Sequence, residues 1–594
     1  MAPSNGYLTR VRPLWVLTGF GLVLAAVTGL YVAGDRGICP PTDSEHHLLN
    51  ALLFGRALHL GGLWGLWDTM RESYVGWPPA AYVLIYGPLA WAFGEQDQLI
   101  KFYGVALVPL LMWGTYHLGR RLAGPRLGTL AAVLAVFSFG VSGHLRQVGI
   151  DLSSAAALLL ALAALLRTRA FSRPGATLLF GAACAVCLFT RVQLVFYLAG
   201  PCLVMAGASL WLAGGWRQRL ERLGMLLLAA LLAVGLSSPW WAGKQDHLWH
   251  ILTSHLDSSQ VRPRGNPAFL AGLWFYSRAM GQIAGWPVLL AVLGLTPVLL
   301  LRRVRGPRLL QRQLMVLCLM TSVLGGVVGL CVGVHRESRY LLPALPLMAL
   351  LSVLGLMHLR RRPRELLGAA LLATVVAPTL WLAANPLPVW HWAAQRGIVD
   401  WATVRVPHRQ IKMDLADQLT DVLRSSTPRD RRGERIYLLL VNAADANYLP
   451  RLGSFMIPRF PELMFSFSNN LAFTNSRWHL LERHRRQMFL LTETTKTFNL
   501  PLLWSVQANW FNNPTPLRLY LVPAGHVLRG PIDRYALYRV RDARGNATLR
   551  EGTLGGAPGK SLPRRNNKAR NQRRRGSRPR SRGHKPWRPA RTNR

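Results

Sequence analysis

The chain has 594 residues, 51% of them hydrophobic and only 16% charged, with a mean hydropathy of +0.20. A soluble protein of this length rarely carries so many apolar runs near the ~20 residues that cross a bilayer. The composition therefore predicts a polytopic α-helical membrane protein, because lipid leaves no partner for an unpaired backbone amide. The formal net charge of +44 does not call for a nucleic-acid partner: about fifteen positive charges lie in the last 35 residues, and most others sit in short loops between apolar runs.

Arg10 and Arg12 precede the first apolar run, 13–34, which reads as a retained signal-anchor because no small-residue cleavage site follows it. The stretch "CPPTDSEHHLLN" (39–50) then presents Asp43, Glu45, His46 and His47 directly after this span. Further apolar runs follow at 99–118, 127–145, 152–166, 174–192, 194–213, 223–242, 287–301, 314–334, 340–357 and 366–386. Basic loops at 119–126, 167–173, 214–222, 302–312 and 358–364 fall at every second connection and mark the cytoplasmic side. Two more apolar stretches, 78–94 and 267–286, break this alternation if counted as spans. The prolines Pro78, Pro79 and Pro88 in one and Arg278 in the other fit juxtamembrane or re-entrant helices. The count is eleven spans, with the N-terminus inside and the C-terminus outside. The six cysteines fall mostly within apolar runs. "CAVC" at 184–187 has no second ligand pair and reads as small core residues.

This topology gathers ionisable groups on the outer face: Asp43 and Glu45, Arg146 and Asp151, Lys244 and Asp246, then Arg336, Glu337, Arg339 and Tyr340. The middles of the spans hold almost none. A transporter usually keeps charged sites near the midplane. Polar chemistry at the membrane boundary instead suits an enzyme whose substrate has its tail in the bilayer and its head outside. For a sugar on a polyprenyl phosphate, the leaving phosphate needs arginine or lysine. Arg191, Lys244, Arg336 and Arg339 lie near outer ends of spans. The acceptor needs a general base, and Asp43 is best placed. A second acid, Asp151, would orient the acceptor, hold a metal or tune the first carboxylate. No cofactor is fixed by these residues, and a divalent metal is the candidate. Other readings stay open: Asp151 as a helix cap, Glu45, His46 and His47 as solvated interface residues, and Arg339–Tyr340 as an interfacial anchor pair. Adjacent histidines make a zinc site of Asp43, His46 and His47 a poor fit.

The order of features is specific: one span, an outer acidic loop, a Pro-Pro-aromatic helix, "LGRRLAGPRLGTLAAVLAVFS", an outer Asp, then "RYLLPALPLMALL". Over residues 10 to 390 this resembles the integral-membrane glycosyltransferases of the GT-C fold. The nearest branch is the bacterial relatives of protein O-mannosyltransferases and of the lipid A aminoarabinose transferase. The resemblance implies Asp43 as the catalytic base, with Glu45 shifted one place from the family's acidic pair, and Asp151 as its second outer acid. It also matches Arg191 to the family's basic residue, and Arg339 with Tyr340 to its late motif. One departure stands out: Gly76 and Trp77 precede the double proline where the aminoarabinose branch has Glu-Lys. That argues against aminoarabinose as the donor sugar.

Beyond residue 386 the apolar runs stop. Strand-like stretches at 435–441, 488–494, 517–523 and 535–541 alternate with helical ones such as 411–426, which predicts an extracytoplasmic α/β domain over 387–555. Residues 556–594 read as a disordered basic tail able to touch anionic lipid. The expectation is an inverting, polyprenyl-phosphate-sugar-dependent transferase of a bacterial inner membrane, acting on a lipid, glycan or protein. A lipid-linked glycan flippase and a non-catalytic envelope scaffold are the rivals.

Overall fold

The computed structural model describes residues 8–34, 38–39, 44–72, 80–93, 103–145, 149–241, 268–301, 307–332, 336–384, 392, 395–396, 409–410, 413–426, 436–441, 463–468, 488–492, 502–510, 513–522, 527–529, 536–538, 540–541 and 547–548. The apolar runs fold as helices close to where periodicity and charge placed them. Leu8–Gly34, Tyr103–Ala123, Asp151–Arg167, Pro174–Thr190, Leu194–Trp211, Trp216–Trp241, Trp286–Leu301, Pro307–Val332, Ala344–Leu356 and Arg361–Ala384 each cover one run. Helices Tyr103–Ala123 and Pro125–Phe137 form a tight hairpin. The chain reverses at Gly124, whose φ of +87° suits glycine. A β-carbon on Gly119 would lie only 2.8 Å from the Gly128 Cα, so the two backbones meet through glycines.

Four local features depart from the sequence expectation or refine it, each with a local cause. The run at 127–145 is two helices, Pro125–Phe137 and Phe139–His144, because Ser138 between them is extended (ψ 143°). Its hydroxyl donates to the Ala135 carbonyl at 2.7 Å. The stretch at 78–94 contains a π-helical turn, Tyr82–Tyr86, running into Gly87–Phe93. Helix Ala268–Ala284 meets Trp286–Leu301 at Gly285 (φ +90°), and the segments Phe269–Ala284 and Trp286–Pro297 are bent by 112°, the geometry of a broken span or re-entrant loop. Finally, the loop after the first span is a 29-residue helix, Ser44–Glu72, interrupted at Gly62 (φ 56°, ψ −144°). His46, His47, Asn50, Arg56 and His59 punctuate its apolar residues, so it does not read as an apolar run.

The core forms around two helices that are apolar on all sides. Ala344–Leu356 is buried along its whole length among Tyr103–Ala123, Pro125–Phe137, Trp286–Leu301 and Pro307–Val332. Asp151–Arg167 is buried against Tyr103–Ala123, Pro174–Thr190 and Leu194–Trp211. By contrast, Trp216–Trp241 turns Leu227, Leu228, Leu231 and Val234 outward, an apolar exterior that suits lipid. Leu194–Trp211, Trp216–Ser238, Arg312–Cys331 and Arg361–Trp381 are each long and apolar enough to cross a membrane, and the bent pair makes a fifth. Eleven spans would need shorter apolar helices such as Pro125–Phe137 and Ala344–Leu356 to cross as well.

Further along the chain a five-stranded sheet has the order Leu463–Ser468, Ile436–Val441, Met488–Thr492, Asn513–Val522, Leu502–Trp510. Its first three strands are parallel and its last two pair antiparallel. Ile38–Cys39, just after the first span, pairs antiparallel with Arg409–Gln410. The tail at 556–594 lies outside the described residues.

Candidate functional site

Helix Asp151–Arg167 begins beside the end of helix Pro174–Thr190, and this meeting of helix ends creates the site. Asp151 is the first residue of its helix and Arg191 the first residue beyond the other. Each charge therefore sits at the helix end whose dipole favours it, the acid at an N-terminus and the cation at a C-terminus. Both side chains are buried, and the Arg191 guanidinium donates to the Asp151 carboxylate. Burial alone would push the Asp151 carboxyl up, but the charges of Arg191, Arg339 and His144 outweigh it and hold the group well below the usual carboxylate range. Ile150 occupies the N-cap position and no side chain caps this helix, so the reading of Asp151 as a simple cap is corrected.

A 3₁₀ turn, Ser338–Leu341, supplies the next wall. The Arg191 Cζ lies 4.7 Å from the centroid of the Tyr340 ring, and the Arg339 Cζ lies 5.7 Å from it. Two cations thus lie against one aromatic ring. Arg339 is ion-paired with Glu337, and the Tyr197 hydroxyl donates to the Tyr340 carbonyl at 2.7 Å. Arg339 is 5% exposed, which replaces the interfacial-anchor reading with a buried one. Arg336 stands at intermediate burial just ahead of this turn.

The third wall comes from His47 and from three tyrosines that the sequence did not single out. His47 is 2% exposed and hydrogen-bonded to the Tyr82 hydroxyl, so it is not a solvated residue. Tyr82, Tyr86 and Tyr103 stack in series, with centroids 5.8 Å and 3.6 Å apart. Tyr86 donates to the Gly149 carbonyl at 2.9 Å and accepts from the Gly149 N–H at 2.8 Å. Burial, with Tyr103 and Tyr82 beside it, pushes the Tyr86 phenol well above its ordinary range, so it stays neutral and can do both. A β-carbon on Gly149 would meet Asp151 Oδ2 at 3.5 Å and His47 Cδ2 at 3.9 Å, which shows how closely the three elements converge. The i, i+4 spacing of Tyr82 and Tyr86 was the one signal in the sequence that could have paired them.

The structure thus brings together Asp151, Arg191, Arg339 and Tyr340, with Arg336 nearby in sequence. Asp43 and Lys244 lie outside the described residues. Glu45 falls in the first turn of helix Ser44–Glu72, which starts at the residue after Asp43. Among the described residues no group of three or more His, Cys, Asp or Glu side chains could hold a metal ion. Cys184, Cys187, Cys202, Cys318 and Cys331 are free thiols within helices.

No family model matches the chain. It is 27% identical over 361 residues to the undecaprenyl phosphate-alpha-4-amino-4-deoxy-L-arabinose arabinosyl transferase 1 of Sodalis glossinidius (strain morsitans), a match covering 59% of this chain and 60% of that protein. The chain thus spans less than two thirds of the length of the curated relative it matches. It superposes on the crystal structure of ArnT from Cupriavidus metallidurans bound to undecaprenyl phosphate with a TM-score of 0.51 and 15% identity, covering 86% of this chain and 97% of that one. The order of motifs along the sequence and the arrangement of helices agree: the chain has the ArnT-like, GT-C membrane fold.

Proposed function

We propose that the protein is an integral-membrane glycosyltransferase that takes a sugar from a polyprenyl-phosphate donor and passes it to a lipid, glycan or protein at the outer face of a bacterial inner membrane. The observation that carries this reading is the convergence of the Asp151–Arg191 pair with Arg339 and Tyr340 at one end of the bundle. The relative from Sodalis, whose name specifies an undecaprenyl-phosphate-linked sugar, and the ArnT structure bound to undecaprenyl phosphate support the donor class.

In the reaction, an acceptor hydroxyl or amine attacks the anomeric carbon of the sugar. The bond from that carbon to the phosphate oxygen breaks, and polyprenyl phosphate leaves with the electron pair. Asp43, immediately ahead of helix Ser44–Glu72, takes the acceptor proton. Arg339 and Arg191, with Arg336 and Lys244 extending the set, offset the charge that grows on the phosphate. Asp151 is a poor base because Arg191 stabilises its ionised form. It serves as a positioning residue that fixes the Arg191 guanidinium over Tyr340. Glu45 helps hold the acceptor side.

In this reading the bundle has eleven spans and residues 387–555 form an extracytoplasmic α/β domain. The pairing of Ile38–Cys39 with Arg409–Gln410 supports that placement, since it sets the start of the C-terminal region beside the first outer loop. The reading is tested by incubating purified protein and an Asp43→Asn variant with radiolabelled polyprenyl-phosphate hexose and membrane extract. Label reaching an acceptor with wild type alone supports transfer with Asp43 as base. Equal transfer by both removes Asp43 from the mechanism, and donor that stays intact with both contradicts the reading.

A further inference from the structure

Helix Asp151–Arg167 carries charge at both ends. Its 17 residues, at a rise of 1.5 Å each, set Arg167 roughly 25 Å from Asp151, at the opposite boundary of the bundle. There Arg167 donates to Nε2 of His117 at 3.1 Å. A guanidinium can only donate, so this imidazole accepts and is neutral. The His117 ring stacks on Trp113 at 5.2 Å. The charges of Arg121, Arg167 and Arg120 all act on the His117 ring, and that of Arg167 acts on Arg121. Arg126 opens helix Pro125–Phe137 at this end, and Arg169 and Arg173 stand in the connection before helix Pro174–Thr190.

No carboxylate among the described residues pairs with any of these six arginines. That is not a property of every basic loop: Arg217 pairs with Glu221, and Arg361 with Glu365. The rule that cytoplasmic loops are basic asks only for solvated cations. Here Arg167 is turned onto a histidine that stacks on tryptophan, and three like charges crowd one imidazole. Repulsion among them is offset by an anion placed between them.

The exterior of helix Tyr103–Ala123, which carries His117, says what kind of anion. Leu110, Trp113, His117 and Arg120–Arg121 recur at helical spacing, so they form one stripe. Leu110 is 45% and Trp113 50% exposed on the outside of the bundle. The stripe runs from apolar through aromatic to guanidinium, which matches an acyl chain, the interface and a headgroup phosphate in that order. We infer that Arg120, Arg121 and Arg167, with His117 and Trp113, bind the phosphate of an anionic phospholipid at the boundary opposite the Asp151 site.

The test is native mass spectrometry of the full chain released from mild detergent with added phosphatidylglycerol or phosphatidylcholine. Wild type should retain phosphatidylglycerol in preference. Arg121→Gln with Arg167→Gln should lower that retention about fivefold per guanidinium removed, while Arg217→Gln with Arg361→Gln leaves it unchanged. Inorganic phosphate in excess should not displace the lipid. Equal retention of both lipids by wild type, or equal loss in the Arg217/Arg361 control, overturns the site. Displacement by inorganic phosphate overturns the lipid and assigns a free anion. Should the Arg121/Arg167 variant fail to fold, Trp113→Ala gives the same reading, because only a site built on the stripe loses the lipid with it.

Discussion

The two ends of helix Asp151–Arg167 use charge in opposite ways. At the Asp151 end acids and arginines pair, Asp151 with Arg191 across two helix ends and Glu337 with Arg339 within one segment, and both cations lie against one aromatic ring. At the Arg167 end, six arginines stand without a paired carboxylate among the described residues. The difference teaches how to separate chemistry from topology in a basic membrane protein. A one-sign cluster follows from orientation in the bilayer and from lipid. A mixed, buried cluster assembled from distant segments has to be matched group by group, because an unpartnered buried charge is costly.

The strongest way to break this contrast is to unpair the buried end. Arg191→Ala leaves Asp151 buried without its guanidinium and should cost about 3–5 kcal/mol, seen as a large fall in thermal stability and loss of transfer. Adding Asp151→Ala to Arg191→Ala should recover part of the stability but none of the transfer. A single-mutant effect no larger than that of a surface pair would break the account. Next, Arg339→Ala should lower the turnover of sugar transfer by about 10²–10³-fold, with Arg339→Lys recovering only part because lysine lacks the bidentate fork. Tyr86→Phe removes both hydrogen bonds to Gly149 and should cost about 1–3 kcal/mol. Its transfer should fall less than that of Arg339→Ala, since the tyrosine acts through the loop that leads to Asp151.

Titration sharpens the same comparison. The Asp151 carboxyl is held below its usual range in the fold, so its contribution to stability is fully present above the unfolded value of about 3.9 and is lost as pH falls through the depressed one. The gap in melting temperature between wild type and Asp151→Asn should therefore stay constant from about pH 5 to 8. The smallest effect belongs to the exposed pair: Arg361→Gln should change stability by no more than about 0.5 kcal/mol and leave transfer intact.

Much of this was legible in the sequence. Apolar runs separated by alternating arginine loops located ten of the helices, since length and hydropathy leave few alternatives in a bilayer. Asp151, Arg191, Arg339 and Tyr340 were legible because polar residues at span ends are few. Helix Ser44–Glu72 was not, because its buried face is interrupted by histidine, asparagine and arginine that only tertiary partners can satisfy. His47 looked solvated for the same reason: nothing in the sequence reveals that Tyr82, 35 residues away, receives it. The break at Ser138 was hidden because an apolar sequence continues on both sides of it.

The most direct measurement compares binding of undecaprenyl phosphate and undecaprenol to purified wild type and Arg339→Ala. The account predicts that wild type prefers the phosphorylated lipid and that Arg339→Ala loses most of the preference while still binding the undecaprenol chain. Equal affinity of wild type for both lipids, or an unchanged preference in Arg339→Ala, would contradict it.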